Sequence, residues 1–316
     1  MKNYLVIVFL ALLPLTNSNA QHITFSPQWT AQSQFAGYYA ALENGYYAEE
    51  GLDVSIVHPT ASYSSMNMLK DGTADIITSE LIQAMMTVDD DIRYVNLLQT
   101  TQHSTLVLIA RSGDIKSLSD LAGSRIGTWK VGFSEIPHMI DQEQHLGIEW
   151  VKFLNSINLY IAGAIDATLA KSYNELILFS MAGITPGSVL HFSEYGYDFP
   201  EDGLYVSEEY YRKNTDKCRK FAQASRKGWD WVRNNREAAL DIVMKYTKES
   251  NIATNRYNQK WMLDTILEVQ EDVKGSAPSY KLNKAAFDQL NKALLKYGYI
   301  SEPVIYERFT GGHYGK

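Results

Sequence analysis

The sequence predicts an α/β protein built from two lobes. Its 316 residues allow about two domains. Residues 23–57 read as strand, loop, helix, glycine stop and strand, which is one βαβ unit. Polar clusters at the ends of predicted strands fall into two series, one before Ala110 and one after Arg125, and the remainder from residue 216 is helical. Two α/β lobes whose strand ends face each other predict a cleft that closes by a hinge.

The composition argues against several classes of protein. An apolar content of 45% and a charged content of 21% are typical of a folded globular chain. The formal net charge is −7 and the sequence has no basic stripe, which argues against nucleic acid and anionic membranes as partners. Cys218 is the single cysteine, so no intrachain disulfide can form, and we expect it to be a buried or idle thiol.

Residues 1–20 have the pattern of a signal peptide. Lys2 supplies the positive region, residues 4–15 are apolar, and the small residues that end at Ala20 predict cleavage after it. The apolar run is too short to span a bilayer comfortably, and no later stretch is long enough. We therefore expect an exported mature protein with no stable membrane insertion.

The loop of the first βαβ unit is the first predicted binding element. In such units ligands gather after the strand, where strand ends and helix N-termini converge. Trp29, Gln34 and Phe35 occupy this loop, ahead of an amphipathic segment at residues 36–49. Rings and amides at a strand end suit a flat small molecule with a polar edge. Alternatively, Trp29 and Phe35 are ordinary core residues.

The rest of the first lobe supplies two further polar clusters. Ser79 and Glu80 end a short buried strand, where the alternative role of Ser79 is to cap the next helix. Residues 99–104 form a polar loop with His103, which can donate to a ligand or simply be solvated. The predicted helices are 62–69 and 81–88, and the predicted strands are 74–78, 94–98 and 106–110.

The second lobe repeats this alternation. Trp129 ends its first strand, and Tyr173, Asn174 and Glu175 follow its third. Gly132 lies before a helix and lets the backbone approach a ligand, although many such loops carry a glycine. The predicted strands are 125–129, 150–154, 164–169 and 189–192, with helices at 118–123, after Pro137 and at 158–161.

The lobes are not continuous in sequence. We expect the chain to cross near residues 106–111 and to return near residues 204–208. Lobe 1 is then 21–109 plus 206–316, completed by the C-terminal helices, and lobe 2 is 110–205.

No metal site is predicted. Residues 89–91 are three adjacent aspartates, whose side chains do not converge without other ligands. His138, Asp141 and His145 share one helix face, but two turns separate the histidines by ~10 Å, too far for one zinc ion. The sequence also has no nucleophile elbow.

Several stretches together resemble a known family. They are Trp29 with residues 34–39 (QFAGYY), 45–54 (GYYAEEGLDV), 118–127 (LSDLAGSRIG) and 163–167 (GAIDA). In this order, over about residues 23–225, they resemble the periplasmic solute-binding proteins of ABC transporters, in the branch with the fungal thiamine-pyrimidine synthases and bacterial pyrimidine-binding proteins. Relatives of this branch also bind sulfonates, taurine and nitrate-like anions. The resemblance implies a type II periplasmic binding protein fold, with α/β lobes joined by a two-strand hinge.

The resemblance also implies a site. A ligand would be sandwiched by the loop at residues 29–35 and, from the opposite lobe, by the loops at Trp129 and at residues 173–175. Glu175 can accept from an exocyclic amine and a protonated ring nitrogen of an aminopyrimidine, or it can form a structural ion pair. Ser79 and Glu80 lie at positions where members of the family contact their ligand. Because Lys130 is positively charged, an anionic ligand remains an alternative.

The synthase members of this branch differ from the chain at their reactive positions. They carry a lysine that holds a pyridoxal cofactor and a histidine consumed in the reaction, where this chain has Ser79 and Gln83. They also carry a cysteine cluster associated with iron, whereas this chain has Cys218 alone. A Schiff base needs an amine and a metal needs ligands, so we expect no enzyme activity and no cofactor.

The sequence therefore predicts a monomeric periplasmic binding protein that delivers a small aromatic nitrogen heterocycle, foremost a thiamine pyrimidine precursor, to an ABC permease and its ATPase. The alternatives are a pyrimidine synthase-like enzyme, a binding protein for sulfonate or taurine-type anions, and a ligand-sensing partner of a receptor kinase. The predicted ligand-binding residues are Trp29, Gln34, Phe35, Ser79, Glu80, His103, Trp129, Tyr173, Asn174 and Glu175.

Overall fold

The computed structural model describes residues 21–90, 92–129, 133–153 and 158–312. The predicted signal peptide, Lys130 and Gly132 lie outside these ranges. Within them, no helix combines the length and the apolar character that crossing a membrane requires.

Over the described ranges, the strands form two separate sheets of five strands each. The strands are β1 (Gln21–Ser26), β2 (Leu52–Ile56), β3 (Ile76–Glu80), β4 (Tyr94–Gln99), β5 (Leu106–Ala110), β6 (Arg125–Trp129), β7 (Glu149–Phe153), β8 (Ala167–Lys171), β9 (Ser188–His191) and β10 (Asp202–Ser207).

Helices cover the sheets and make up most of the C-terminal region. They are α1 (Ala36–Glu43), α2 (Tyr46–Glu49), α3 (Ser65–Lys70), α4 (Leu81–Met86), α5 (Glu135–Gln144), α6 (Asn158–Ile161), α7 (Glu175–Met181), α8 (Glu208–Lys213), α9 (Thr215–Asn234), α10 (Arg236–Glu249), α11 (Arg256–Val269), α12 (Lys284–Lys296) and α13 (Tyr306–Phe309).

The two sheets share one plan. The first has the order β2-β1-β3-β10-β4 and the second the order β7-β6-β8-β5-β9. In the first, β1 is parallel to β2 and β3, and β10 is antiparallel to β3 and β4. In the second, β6 is parallel to β7 and β8, and β5 is antiparallel to β8 and β9. The two α/β lobes of the predicted fold class are therefore present.

The sheet pairing corrects the predicted crossing points. β5 pairs in the second sheet and β10 in the first, so residues 106–109 and 202–205 belong to the opposite lobe from the one predicted. The crossing segments are 100–105 and 196–201. A run of apolar residues identifies a strand but does not say which sheet it joins, because pairing is a non-local property.

The two crossing segments are bonded to each other. The backbone N–H of Asp202 donates to Thr101 Oγ1 at 2.7 Å. The backbone N–H of Thr105 donates to Glu201 Oε1 at 2.9 Å. Within the polar stretch 99–104, the Ser104 hydroxyl donates to Glu201 Oε1 and the Ser104 backbone N–H donates to Asp198 Oδ1, both at 2.8 Å. Bonds to the returning segment thus account for part of this polar sequence.

Close helix packing fixes the base of the first binding loop. A Cβ at Gly37 would lie 2.2 Å from the Trp229 ring, and one at Gly228 would lie 2.1 Å from the Gly37 carbonyl oxygen. Only glycine lets α1 approach α9 this closely. The predicted helix at residues 36–49 is in fact α1 and α2, which are separated at Gly45 by a backbone φ of 74°.

Candidate functional site

Three aromatic rings from both lobes meet where the parallel strands end. Trp29 follows β1, and its ring centroid lies 5.5 Å from that of Phe133, which precedes α5 in the second lobe. Trp129, the last residue of β6, contacts the same Phe133 ring edge-on at 5.3 Å. Trp29 is 39% exposed, so one side of this aromatic cluster remains open.

A buried ion-pair network lies directly beside the rings. Lys171, the last residue of β8, places its Nζ 2.7 Å from Glu80 Oε1 and 3.0 Å from Glu201 Oε1. The same ammonium lies 4.7 Å from the centroid of Phe133. Glu80 ends β3 and Glu201 lies in the returning crossing segment, so this network joins both lobes and the hinge.

The protonation states follow from burial and charge. Burial disfavours the charged form of Lys171, but Glu201 and Glu80 outweigh it and raise the pKa of the amine. Burial raises the pKa of Glu80 well above its ordinary value, and Lys171 opposes this rise. Lys171 is therefore an ammonium held between carboxylates.

Asp202 anchors the amides of the first lobe. Its carboxylate accepts from Gln34 Nε2 at 2.6 Å and from Gln28 Nε2 at 2.9 Å. Burial raises its pKa from 3.8 to about 6, although the bond from Gln34 opposes the rise. Gln34 thus reaches the site, but its amide is already bonded to Asp202, which the sequence analysis did not select.

Glu135 adds an acceptor to the cavity between the lobes. Its Oε1 accepts from Gln83 Nε2 at 2.9 Å, which is a further bond across the cleft. Its Oε2 is buried and has no hydrogen-bond partner in the described ranges. Glu80, Lys171 and Glu201 line the same cavity, together with the apolar side chains Ile82, Leu106, Phe133, Ile136, Phe199 and Leu290.

The predicted cluster after β8 is bonded mainly within its own lobe. Glu175 begins α7, and its Oε2 accepts from the backbone N–H of Lys171 at 2.8 Å, while its Oε1 accepts from Asn174 Nδ2 at 3.1 Å. Burial raises the pKa of Glu175. Tyr173 is buried in the first-lobe core, and this burial, followed by the negative charge of Asp202 and Glu80, raises the pKa of its hydroxyl.

Three other predicted residues do not form part of the aromatic cluster. Phe35 is 1% exposed and packs in the first-lobe core, which was the alternative to a stacking role. The Ser79 side chain is buried beside the Glu80 carbonyl oxygen, at 3.5 Å. His103 Nδ1 pairs with Asp198 Oδ2 at 2.7 Å in the hinge.

The helix face considered for a metal has another role. His138 packs edge-on against Trp150 at 4.5 Å, and Trp150 Nε1 donates to Asp141 at 2.9 Å. No group of three metal-ligating side chains is found among the described residues.

Several residues of the site were not predicted. Lys171 and Asp202 both flank a strand end at the cleft, so the rule that selected Ser79 and Glu80 can also find them once the strand bounds are right. Strand β8 was predicted to end at residue 169, which left Lys171 unassigned. The sequence gives no comparable signal for Phe133. Its ring reaches the cleft because the backbone φ of this residue is 65°, in an irregular segment. The other residues that were missed are His58, Glu135 and Glu201.

Three proteins of known name or structure are similar to this chain. A formylaminopyrimidine-binding protein from Halalkalibacterium halodurans is 25% identical over 292 residues, which cover 88% of this chain and 86% of that protein. The periplasmic aliphatic sulphonate binding protein SsuA from Escherichia coli superposes with a TM-score of 0.66 at 13% identity, with 91% of each chain covered. The desulfurization enzyme DSZB superposes with a TM-score of 0.62 at 14% identity, covering 93% of this chain and 97% of that one.

The similar structures establish the fold, and a family model establishes the family. The two lobes and their sheets have the periplasmic binding protein fold, which binding proteins share with at least one enzyme. The model of the NMT1/THI5 like family matches residues 32–239, a range that includes Glu80, Trp129, Lys171 and Asp202. The chain belongs to the NMT1/THI5 like family.

Proposed function

We propose that this protein is the periplasmic solute-binding component of an ABC importer, and that it captures an aminopyrimidine of the thiamine-precursor class between its lobes. The observation that carries the proposal is the position of three aromatic rings, contributed by both lobes, next to a buried cluster of carboxylates. A flat heterocycle with exocyclic amines fits such a site, because its ring stacks on aromatic faces and its edge donates hydrogen bonds. The formylaminopyrimidine-binding relative supports this ligand class.

The charge of the cavity disfavours an anionic ligand. Among the described residues that line it, Glu80, Glu135 and Glu201 are acidic and Lys171 is the single cation. Lys171 is already paired with two carboxylates, so its ammonium is not free to bind a sulfonate. The buried Oε2 of Glu135 instead offers an acceptor to a donor group.

Among the residues that the structure describes, the site offers no nucleophilic amine. Lys171 is the lysine in the cavity lining, but Glu201 and Glu80 keep it protonated, and an ammonium cannot form a Schiff base. Ser79 and Gln83 occupy the positions at which the synthases react, and Gln83 is bonded to Glu135. We therefore assign a binding role rather than a synthase role.

The remaining parts of the proposal concern transport. Residues 1–20 act as the export signal, and the mature protein is a monomer that presents its closed form to a permease and ATPase. The cleft lies between the lobe with residues 21–99 and 202–312 and the lobe with residues 106–195.

The test is a thermal-shift screen of residues 21–316, followed by calorimetry. The ligands are formylaminopyrimidine, hydroxymethylpyrimidine, thiamine, riboflavin, taurine and an alkyl sulfonate. A ligand that binds only the native state raises the midpoint by mass action. We expect a shift with the aminopyrimidines, a loss of affinity of about tenfold or more in Trp29→Ala, and little loss in Trp29→Phe, which keeps a stacking ring.

A second pair of variants tests the acidic edge. Glu135→Gln should weaken aminopyrimidine binding by about tenfold, because it replaces an acceptor by a donor. Glu194→Gln changes an exposed carboxylate of the second lobe and should leave affinity unchanged. A shift with sulfonates alone would contradict the ligand class, and an absorbance of bound pyridoxal in the purified protein would contradict the binding role.

A further inference from the structure

His58 lies behind the loop that carries Trp29. It follows β2, and its Nδ1 lies 2.6 Å from the Trp29 backbone oxygen. Its Nε2 lies 3.0 Å from the Tyr39 hydroxyl. The imidazole also packs near the rings of Phe35 and Tyr39, with centroids 6.1 Å and 5.9 Å away. Both ring nitrogens therefore have partners, and the ring is held on two sides.

The partners fix the tautomer of this histidine. A carbonyl oxygen can only accept, so Nδ1 carries the proton and donates to Trp29. Nε2 then accepts from the Tyr39 hydroxyl when the ring is neutral, and burial lowers the pKa of His58 in the direction of the neutral form. One chain of hydrogen bonds thus connects the Tyr39 hydroxyl to His58 and to the Trp29 carbonyl.

This chain anchors the Trp29 loop to helix α1 of the same lobe. Tyr39 is a fully buried residue of α1 that stacks on Tyr246 with centroids 4.1 Å apart. The position of the Trp29 backbone, and with it the ring that faces Phe133, is therefore set by a side chain outside the cleft.

We propose that His58 is a positioning residue, which acts through the Trp29 carbonyl to hold the aromatic wall of the first lobe in its binding position. This inference rests on the proposed function, because it assigns Trp29 to ligand contact. It requires that His58 contribute to affinity only while Trp29 supplies a ring.

The test is a double-mutant cycle on the mature protein, with formylaminopyrimidine as the ligand. His58→Leu removes both bonds, and we expect affinity to fall about tenfold, within the range for loss of a hydrogen bond. His58→Asn keeps a donor at the Nδ1 position and should restore most of the affinity. In a Trp29→Ala background, His58→Leu should cost less than twofold. Equal losses in both backgrounds, or equal losses for the leucine and asparagine variants, would overturn the proposal.

A second measurement does not need a ligand. Hydrogen exchange of the backbone amides at residues 29–35 should be about tenfold faster in His58→Leu than in the wild type and in His58→Asn, while β8 should be unchanged. If no tested ligand binds but the loop responds in this way, the proposed ligand fails and the positioning role stands. If formylaminopyrimidine binds but the loop exchanges at the same rate in all variants, the positioning role fails and the proposed function stands. His22→Leu, which alters an exposed histidine of β1, is the control for both measurements.

Discussion

The two walls of the cleft are held in different ways. In the first lobe, the Gln34 amide bonds to Asp202 and the Trp29 carbonyl bonds to His58, so these two groups are held within their own lobe. In the second lobe, the Lys171 ammonium and the Phe133 ring also have partners across the cleft, on Glu80 and Trp29. The backbone at Trp29 and the Gln34 amide are therefore held by one lobe, whereas Lys171 and Phe133 link the two lobes.

This difference separates two structural roles, the shape of the binding surface and the association of the lobes. Substitutions on the first wall should alter the shape of the binding surface, and substitutions on the second should alter how the lobes hold together. The following predictions test this division through three charged side chains, and they run from the largest expected effect to the smallest.

Lys171→Met should have the largest effect, because it leaves Glu80 and Glu201 buried without their cation. Removing one partner of a buried ion pair lowers the unfolding free energy by about 3–5 kcal/mol. The measurement is urea unfolding of the variant and the wild type at pH 7. Lys213→Met removes the exposed pair with Glu209 and should leave the unfolding free energy nearly unchanged, because water screens such a pair. Adding Glu80→Gln to Lys171→Met should recover part of the loss. A Lys171→Met variant as stable as the wild type would contradict the role of this network.

Asp202→Asn should change how stability depends on pH. The unfolded carboxyl has a pKa near 3.8 and the folded one a pKa of about 6, so the folded state binds the proton more tightly. The contribution of Asp202 to the unfolding free energy therefore falls as pH rises from about 4 to about 6. The difference between these pKa values corresponds to about 3 kcal/mol.

The measurement is urea unfolding of both proteins at pH 4.5 and pH 7.5. Relative to the wild type, Asp202→Asn should be more stable at the higher pH than at the lower. Other carboxylates contribute to both proteins and cancel in the comparison. Gln28 has a buried Oε1 without a partner in the described ranges, which can accept from the new amide. A difference that is the same at both pH values would show that Asp202 is not perturbed by burial.

Glu175→Gln should have the smallest effect of the three. One oxygen of Glu175 accepts from the Lys171 backbone and the other from Asn174, so both oxygens are already bonded within the second lobe. A glutamine keeps one acceptor, and we expect about 1 kcal/mol of lost stability with less than a threefold change in aminopyrimidine affinity. An affinity loss above tenfold would return Glu175 to the ligand-contacting role that the sequence predicted.

The sequence predicted the structure correctly where a feature depends on residues that are close together in the chain. The βαβ pattern predicted two α/β lobes, and the position of Trp29, Glu80 and Trp129 at strand ends brought three residues of the cleft together. These inferences succeed because the carboxyl ends of parallel strands meet at one edge whatever the details of packing.

The same reasoning failed where contacts depend on distant partners. β5 and β10 exchange sheets relative to the prediction, and nothing within their apolar runs specifies this. His103 has the polar surroundings of a ligand contact, but its partner is Asp198, 95 positions away in the sequence. Phe133 reaches the cleft through a left-handed backbone turn, which residue type does not indicate.

The paired crossing segments limit how the protein can move. Residues 100–105 and 196–201 are bonded to each other through Thr105 and Glu201. We expect two bonded connections to favour rotation of the lobes about one axis and to resist twisting and sliding. The size of a bound ligand would then set a single angle between the lobes. One pair of fluorescent labels, one on each lobe, would follow the whole motion.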